Sequence, residues 1–194
     1  MDDPVSDPPA SDNVEKADAL RHSGEIEMAR RYPNPVNRWN DESIRQLIRT
    51  RISERMGQYL SELPFFFIAT SSAGGHCDAS FRGRDVGPDG PLPLIALVDP
   101  QTLIFPDYAG NGTYQSLGNI HQNPHIGMLF MDFERQRRFR INGRAEVRDA
   151  DDAIRAIWPG AQAYVRVSIE QAFGNCKARI PRMTLQAGSM DRDE

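Results

Sequence analysis

The run "DASFRGRD" sets Ser80, Arg82 and Arg84 at every second residue, so on an extended strand their side chains leave from one face. A hydroxyl and two guanidinium groups in a row all donate to an oxyanion, the chemistry of a phosphate or carboxylate site. A second run, "FPDYAGNGTYQSLGNIHQNP", spans Phe105 to Pro124. It begins β-like, passes through small hydrogen-bonding residues, and becomes an amphipathic segment that Pro124 stops. Free N–H groups at the start of such a helix, aided by its dipole, are another common anion cradle. Each run also has a plainer reading: a solvated strand face for the first, a capped turn for the second. Arg138 and Arg140 in "RRFRINGR" form one more same-face pair.

Other chemistries are poorly served. His121 and His125 stand four apart, but Pro124 between them breaks the helix that would bring them together. His76 and Cys77 are neighbours, which in a strand point to opposite faces. No metal site is expected. No G-x-S-x-G elbow, Walker-type loop or G-x-G-x-x-G fingerprint occurs, and no residue is named as catalytic. A net charge of −4 argues against nucleic acid. Of the 23 basic residues only Lys16 and Lys177 are lysines, so an anion site in the body of the chain must use Arg, backbone N–H groups or hydroxyls. Cys77 and Cys176 lie far apart with no CxxC spacing. No signal peptide and no membrane-length apolar run is visible. The expectation is a reduced, cytoplasmic protein with no membrane partner.

The elements that must position these residues follow from periodicity. Residues 1–20 are acidic and Pro-rich and predict a flexible tail; 21–39 read as an N-terminal extension; 186–194 read as a second flexible tail. From Asn40 to Leu63 apolar residues recur at three- and four-residue steps, predicting one helix capped by Asn40. Beyond Pro64 the period changes. "FFFIATS", "HCDASFRGR", "LPLIALVD", "LIFPD", "HIGMLFMDF" and "RFRINGRAEVRD" predict about six short strands, with one helix between the fourth and fifth. Short helices are expected at "DADDAIRAIW" and "SIEQAFGN". The spacing indicates a closed or nearly closed antiparallel barrel.

Taken in order, "FFFIATSSAGG", "DASFRGRD", "TLIFPDYAGNGTYQSLGNIHQNPHIGMLF" and "FRINGRAEV" resemble the pyridoxamine 5'-phosphate oxidase-like FMN-binding split-barrel family, over roughly residues 60 to 150. The resemblance is to a bacterial branch of uncharacterised members. It implies a mainly β fold: a six-stranded antiparallel split β-barrel of Greek-key type, spanning 40–185, with flanking helices. It also implies a homodimer with FMN at the subunit interface. The family's phosphate-holding arginine falls on Arg82, beside Ser80 and Gly83, with Arg84 near the end of that strand. The loop along the flavin and its phosphate falls on Pro106, Asp107, Tyr108, Asn111, Tyr114 and Gln115. The sixth-strand residue at the flavin edge falls on Arg138, with Gln136 next. Lys177 and Arg179 could reach the partner's cofactor. The oxidases' substrate-binding arginine near a Trp has no counterpart in "NCKARIPRM", so the resemblance does not extend to that substrate. The function implied is an FMN-dependent oxidoreductase for an unspecified small molecule. The alternatives are a non-catalytic flavin or haem binding or storage protein, for which His76, His121 and His125 are the available haem ligands, and a cofactor-free interaction module.

Overall fold

The computed structural model describes residues 21–35, 40–175 and 177–186. The expected tails therefore lie, Gln186 aside, outside the described residues. The chain divides into two compact units, residues 1–48 and 49–194. In the first, α1 (Ser23–Arg31) is followed by α2 (Asp41–Leu47). Asn40 caps α2 as expected: its Oδ1 accepts the Ser43 N–H at 2.8 Å, and Ser43 Oγ accepts the Asn40 N–H at 2.9 Å.

The single helix expected over 40–63 is interrupted. Ile48 is extended, and Arg49 exchanges backbone hydrogen bonds with Ala172 at 3.0 and 2.6 Å. Ile52 donates its N–H to the Pro100 carbonyl, and only then does α3 (Glu54–Ser61) begin, with Ser53 Oγ accepting the Met56 N–H. Ile48, Thr50 and Ile52 are β-branched and suit an extended segment.

In the second unit one antiparallel sheet carries β1 (Phe65–Ser71), β2 (Cys77–Gly83), β5 (Ala96–Asp99), β6 (Thr102–Tyr108), β7 (His125–Asp132), β8 (Arg137–Asp149) and β9 (Ala161–Asn175). Their spatial order is β2-β1-β7-β8-β9-β6-β5, and β3 (Val86–Gly87) with β4 (Gly90–Pro91) forms a separate hairpin. Helix α4 (Gln115–Gln122) falls between β6 and β7, where the sequence placed it, and α5 (Asp152–Ile157) between β8 and β9. The helix expected at "SIEQAFGN" is instead the end of the fifteen-residue strand β9, paired with β8 along most of its length and with β6 over its first half.

Alternation explains the core. Phe66, Ile68, Phe105, Phe130, Ile141, Val165 and Val167 are all buried, and the Phe66 and Phe130 rings stack at 4.9 Å. Leu60 and Leu63 close this core from α3 and the turn after it. A second cluster seats Trp158, whose Nε1–H donates to the Pro93 carbonyl at 2.6 Å. Strand β2 is an edge and β6 sits next to the other edge, with no backbone ladder between them, yet Arg82 on β2 reaches Asp107 on β6 at 2.7 Å. The sheet must curl to bring these strands together. The fold is therefore the expected one, an antiparallel split barrel with flanking helices, and the split lies between β2 and β6. Among the described residues no helix is long and apolar enough to cross a membrane.

Candidate functional site

A cleft of about 430 Å³ occupies the split between β2, the loop after β6, and the start of α4. Period two in β2 sends Asp78, Ser80 and Arg82 to its half-buried side, while Ala79, Phe81 and Gly83 stay exposed. Arg82 donates from one terminal nitrogen to Asp107 Oδ1, and its side chain is 19% exposed. Its Nε is buried and has no hydrogen-bond partner among the described residues. The other Asp107 oxygen accepts from Gln162 Nε2 at 3.0 Å, so a side chain from β9 holds the carboxylate that holds the arginine.

The opposite wall is the Gly-rich loop. Asn111 Oδ1 accepts from both the Thr113 N–H and its hydroxyl, tightening the turn. Tyr114 then enters α4 in the left-handed region at φ 49°, and no side chain caps the helix. The first N–H groups of α4 thus lack the usual side-chain acceptor. Ser116 ties the helix to β2 through a 2.6 Å bond to Asp78, and Asn119 Nδ2 reaches Thr70 Oγ1 and the His76 carbonyl. An unpaired guanidinium nitrogen and an uncapped helix start in one cleft suit an anionic group such as a phosphate. The donors Arg82, Ser80 and the α4 N–H groups match an FMN phosphate in kind; of the two carboxylates lining the cleft, Asp107 is paired with Arg82 and hydrogen-bonded by Gln162, and Asp78 accepts from the Ser116 hydroxyl.

Of the residues expected from sequence, the cleft brings together Ser80, Arg82, Asp107, Tyr108, Asn111, Tyr114 and Gln115. It does not include Gly83, Arg84, Pro106 or Arg138. Strand β2 ends at Gly83, so Arg84 leaves the alternation and bonds the Glu62 carbonyl instead. Pro106 precedes Asp107 on β6 and points to the other face. Arg138 lines a separate cavity beside Tyr59 and Asp132. Gln136, in the turn before β8, donates to the Ile180 carbonyl. Sequence reading missed Asp78, Ser116 and Gln162. The first shares the parity of Ser80 and was legible, whereas Gln162 depends on the β6–β9 pairing across 55 residues. Among the described residues no group of three or more His, Cys, Asp or Glu could hold a metal ion.

At the separate cavity, the Tyr59 hydroxyl donates to Asp132 Oδ2 at 2.7 Å. Burial, then the bond to Asp132, pushes the Tyr59 phenol up to about 12. Burial alone would raise the Asp132 carboxyl. The hydrogen bonds from Tyr59 and from the Arg135 N–H and guanidinium outweigh it and hold it below the usual carboxylate range.

The pyridoxamine 5'-phosphate oxidase family model matches residues 52–187. No curated protein matches the sequence. Among solved structures the chain is similar to HupZ of Group A Streptococcus, at 22% identity over 63% of this chain and 94% of that one, with a TM-score of 0.48. A protein described as a pyridoxamine 5'-phosphate oxidase from Lactobacillus delbrueckii matches at 19% identity over 66% and 98%, TM-score 0.47. An FMN-binding protein from Syntrophomonas wolfei matches at 9% identity over 63% and 90%, TM-score 0.44. On the family match, which spans more than two thirds of its 194 residues, this chain belongs to the pyridoxamine 5'-phosphate oxidase family.

Proposed function

We propose that the chain is an FMN-dependent oxidoreductase for a small molecule, working as a homodimer with the cofactor at the subunit interface. The observation that carries this reading is the cleft of about 430 Å³ in the barrel split, lined both by Arg82, whose Nε has no partner among the described residues, and by the uncapped start of α4. When bound, FMN supplies hydride or electron transfer. The chain's part is to hold and orient it. Arg82 is fixed by Asp107, and Asp107 by Gln162, so the guanidinium is preorganised before an anion arrives. Ser80 and the α4 N–H groups complete the donor set. Asn111 shapes the loop, while Tyr114 and Gln115 form the cleft's rim. Arg84 and Arg138 stand outside this cleft and have no part in the phosphate contact.

The test is an FMN titration followed by absorbance, with wild type, Arg82→Ala and Arg82→Lys. Wild type should bind and show flavin bands. Loss of a charge-assisted partner costs about 1.5–3 kcal/mol, a loss of roughly tenfold to a hundredfold in affinity for Arg82→Ala. Arg82→Lys keeps a charge beside Asp107 but loses the fork, and should fall between. Unchanged affinity in both variants would remove Arg82 from the site. A Soret band after incubation with haem, with no flavin uptake, would favour the storage reading instead.

A further inference from the structure

The cleft in the barrel split is cationic at one point only. Among the described residues that line it, Arg82 is the single guanidinium or ammonium group, whereas two carboxylates, Asp78 on β2 and Asp107 on β6, line it too. The loop after β6 and the start of α4 bring amides and hydroxyls, and β9 brings Gln162. Tyr108 and Tyr114 are the other titratable groups in the wall. Asp107 is 5% exposed and meets a terminal nitrogen of Arg82 at 2.7 Å. Its second oxygen accepts from a neutral amide, Gln162 Nε2, and Asp78 accepts from a neutral hydroxyl, that of Ser116. The Arg82 charge is thus matched by Asp107, and no cation in the wall matches Asp78. One guanidinium against two carboxylates leaves the wall with a net negative charge. An oxyanion held by another nitrogen of Arg82 would lie two hydrogen bonds and one guanidinium from the Asp107 carboxylate, on the order of 5–7 Å. At such a range a like charge disfavours further ionisation, and a nearly buried carboxylate is poorly screened by salt.

We propose, resting on the FMN reading above, that Asp107 sets the charge selectivity of this cleft: it positions Arg82 but cancels its charge, so the site takes a phosphate monoester as the monoanion. A phosphate monoester loses its second proton at about pH 6. The dianion that prevails above that pH brings a second negative charge to a wall that has no cation left for it. The bound phosphate therefore keeps its last proton to a higher pH than the free one does, and binding weakens as pH rises. Asp107 acts here as a positioning and specificity-determining residue, with no part in the flavin's chemistry.

The test compares FMN with riboflavin, which has the same ring system and no phosphate, by flavin fluorescence titration of the full-length protein at fixed ionic strength. The advantage of FMN over riboflavin isolates the phosphate contribution. In wild type that advantage should be about fivefold larger at pH 5.5 than at pH 8, as a rise of about one unit in the bound phosphate's pKa requires. Asp107→Asn keeps an acceptor for Arg82 and removes the charge. It should raise the FMN advantage at pH 8 by about tenfold, flatten the pH profile, and leave riboflavin affinity unchanged. The wild-type profile needs no variant and stands even if Asp107→Asn folds poorly. A flat wild-type profile with FMN bound would overturn the proposal alone, and would mean that the partner subunit brings a second cation to the phosphate. A folded Asp107→Asn protein that keeps the wild-type slope, or that only loses FMN affinity, would reduce Asp107 to holding Arg82 in place. Failure of wild type to bind either flavin at any pH would overturn the FMN reading, and this proposal with it.

Discussion

At the scale of single residues the chain answers its buried charges in small closed sets. Arg82, Asp107 and Gln162 form one, and Tyr59, Asp132 and Arg135 the other. The second set sets a pH dependence. Asp132 has a depressed pKa in the folded state, so at pH near 4 the unfolded chain binds more protons than the folded one. Its contribution to stability is therefore fully present above the unfolded carboxylate pKa and is lost as pH falls through the folded one. Urea unfolding of wild type and Asp132→Asn should differ most near pH 7, with the gap closing below about pH 4. A gap that stays constant from pH 7 to pH 3 would show that Asp132 acts only through its shape. Tyr59 works in the opposite direction. Its raised pKa favours the neutral form, so its contribution is present below the unfolded phenol pKa and is lost as pH rises toward about 12.

At the scale of elements, what was legible depended on whether the signal was local. Period two in "FFFIATS" and "HIGMLFMDF" is local, and both strands formed as read, as did the α2 cap at Asn40. The parity of Ser80 and Arg82 on β2 was readable for the same reason. Strand β9 was missed because its end, "SIEQAFGN", is rich in Glu, Gln and Ala. Pairing with β8, and with β6 up to Ser168, overrides that helical preference. The break before α3 was hidden because apolar spacing continues through Ile48 and Ile52 whether the chain is helical or extended, although Ser53 as a cap was a visible clue. Gly143 shows what such pairing demands. It lies where the β8–β9 register shifts past Glu170, and a Cβ there would sit 2.1 Å from the Ser168 carbonyl oxygen. The three nearest atoms, Ser168 O and C and Glu170 N, are all backbone and cannot step aside. Gly143→Ala should cost about 2 kcal/mol or more, and at roughly 2–4 °C per kcal/mol lower Tm by on the order of 5 °C. A thermal melt within a degree of wild type would mean that the bulge relaxes freely.

At the scale of the whole molecule, the outer face of the sheet has an unusual composition for a surface. Phe81 on β2, Phe67 on β1 and Leu129 on β7 form one cross-strand row, followed by Arg140 and Phe173 on β8 and β9. Phe67 is 38% exposed and Phe81 59%, and the exposed Ala69 and Ala79 form the next row. The rings of Phe65, Phe67 and Phe81 lie 5.3 to 5.9 Å apart, so the patch is a continuous aromatic surface. Contiguous exposed apolar patches of this kind mark interaction surfaces. The proposed homodimer gives this face its occupant, a second copy, and burying each phenylalanine would contribute about 1.5–3 kcal/mol. Phe67→Asp with Phe81→Asp would place unpaired carboxylates at the centre of that interface. Both side chains point away from the core, so the double variant should fold, with the wild-type circular dichroism spectrum. Light scattering should then find a monomer at concentrations where wild type is a dimer, and FMN binding should fall with it, because the cofactor is proposed to lie between subunits. Arg82→Ala separates the two effects: it should lose FMN and remain a dimer. A double variant that stays dimeric would remove this face from the interface. A monomer that keeps its FMN affinity would place the whole cofactor site within one chain.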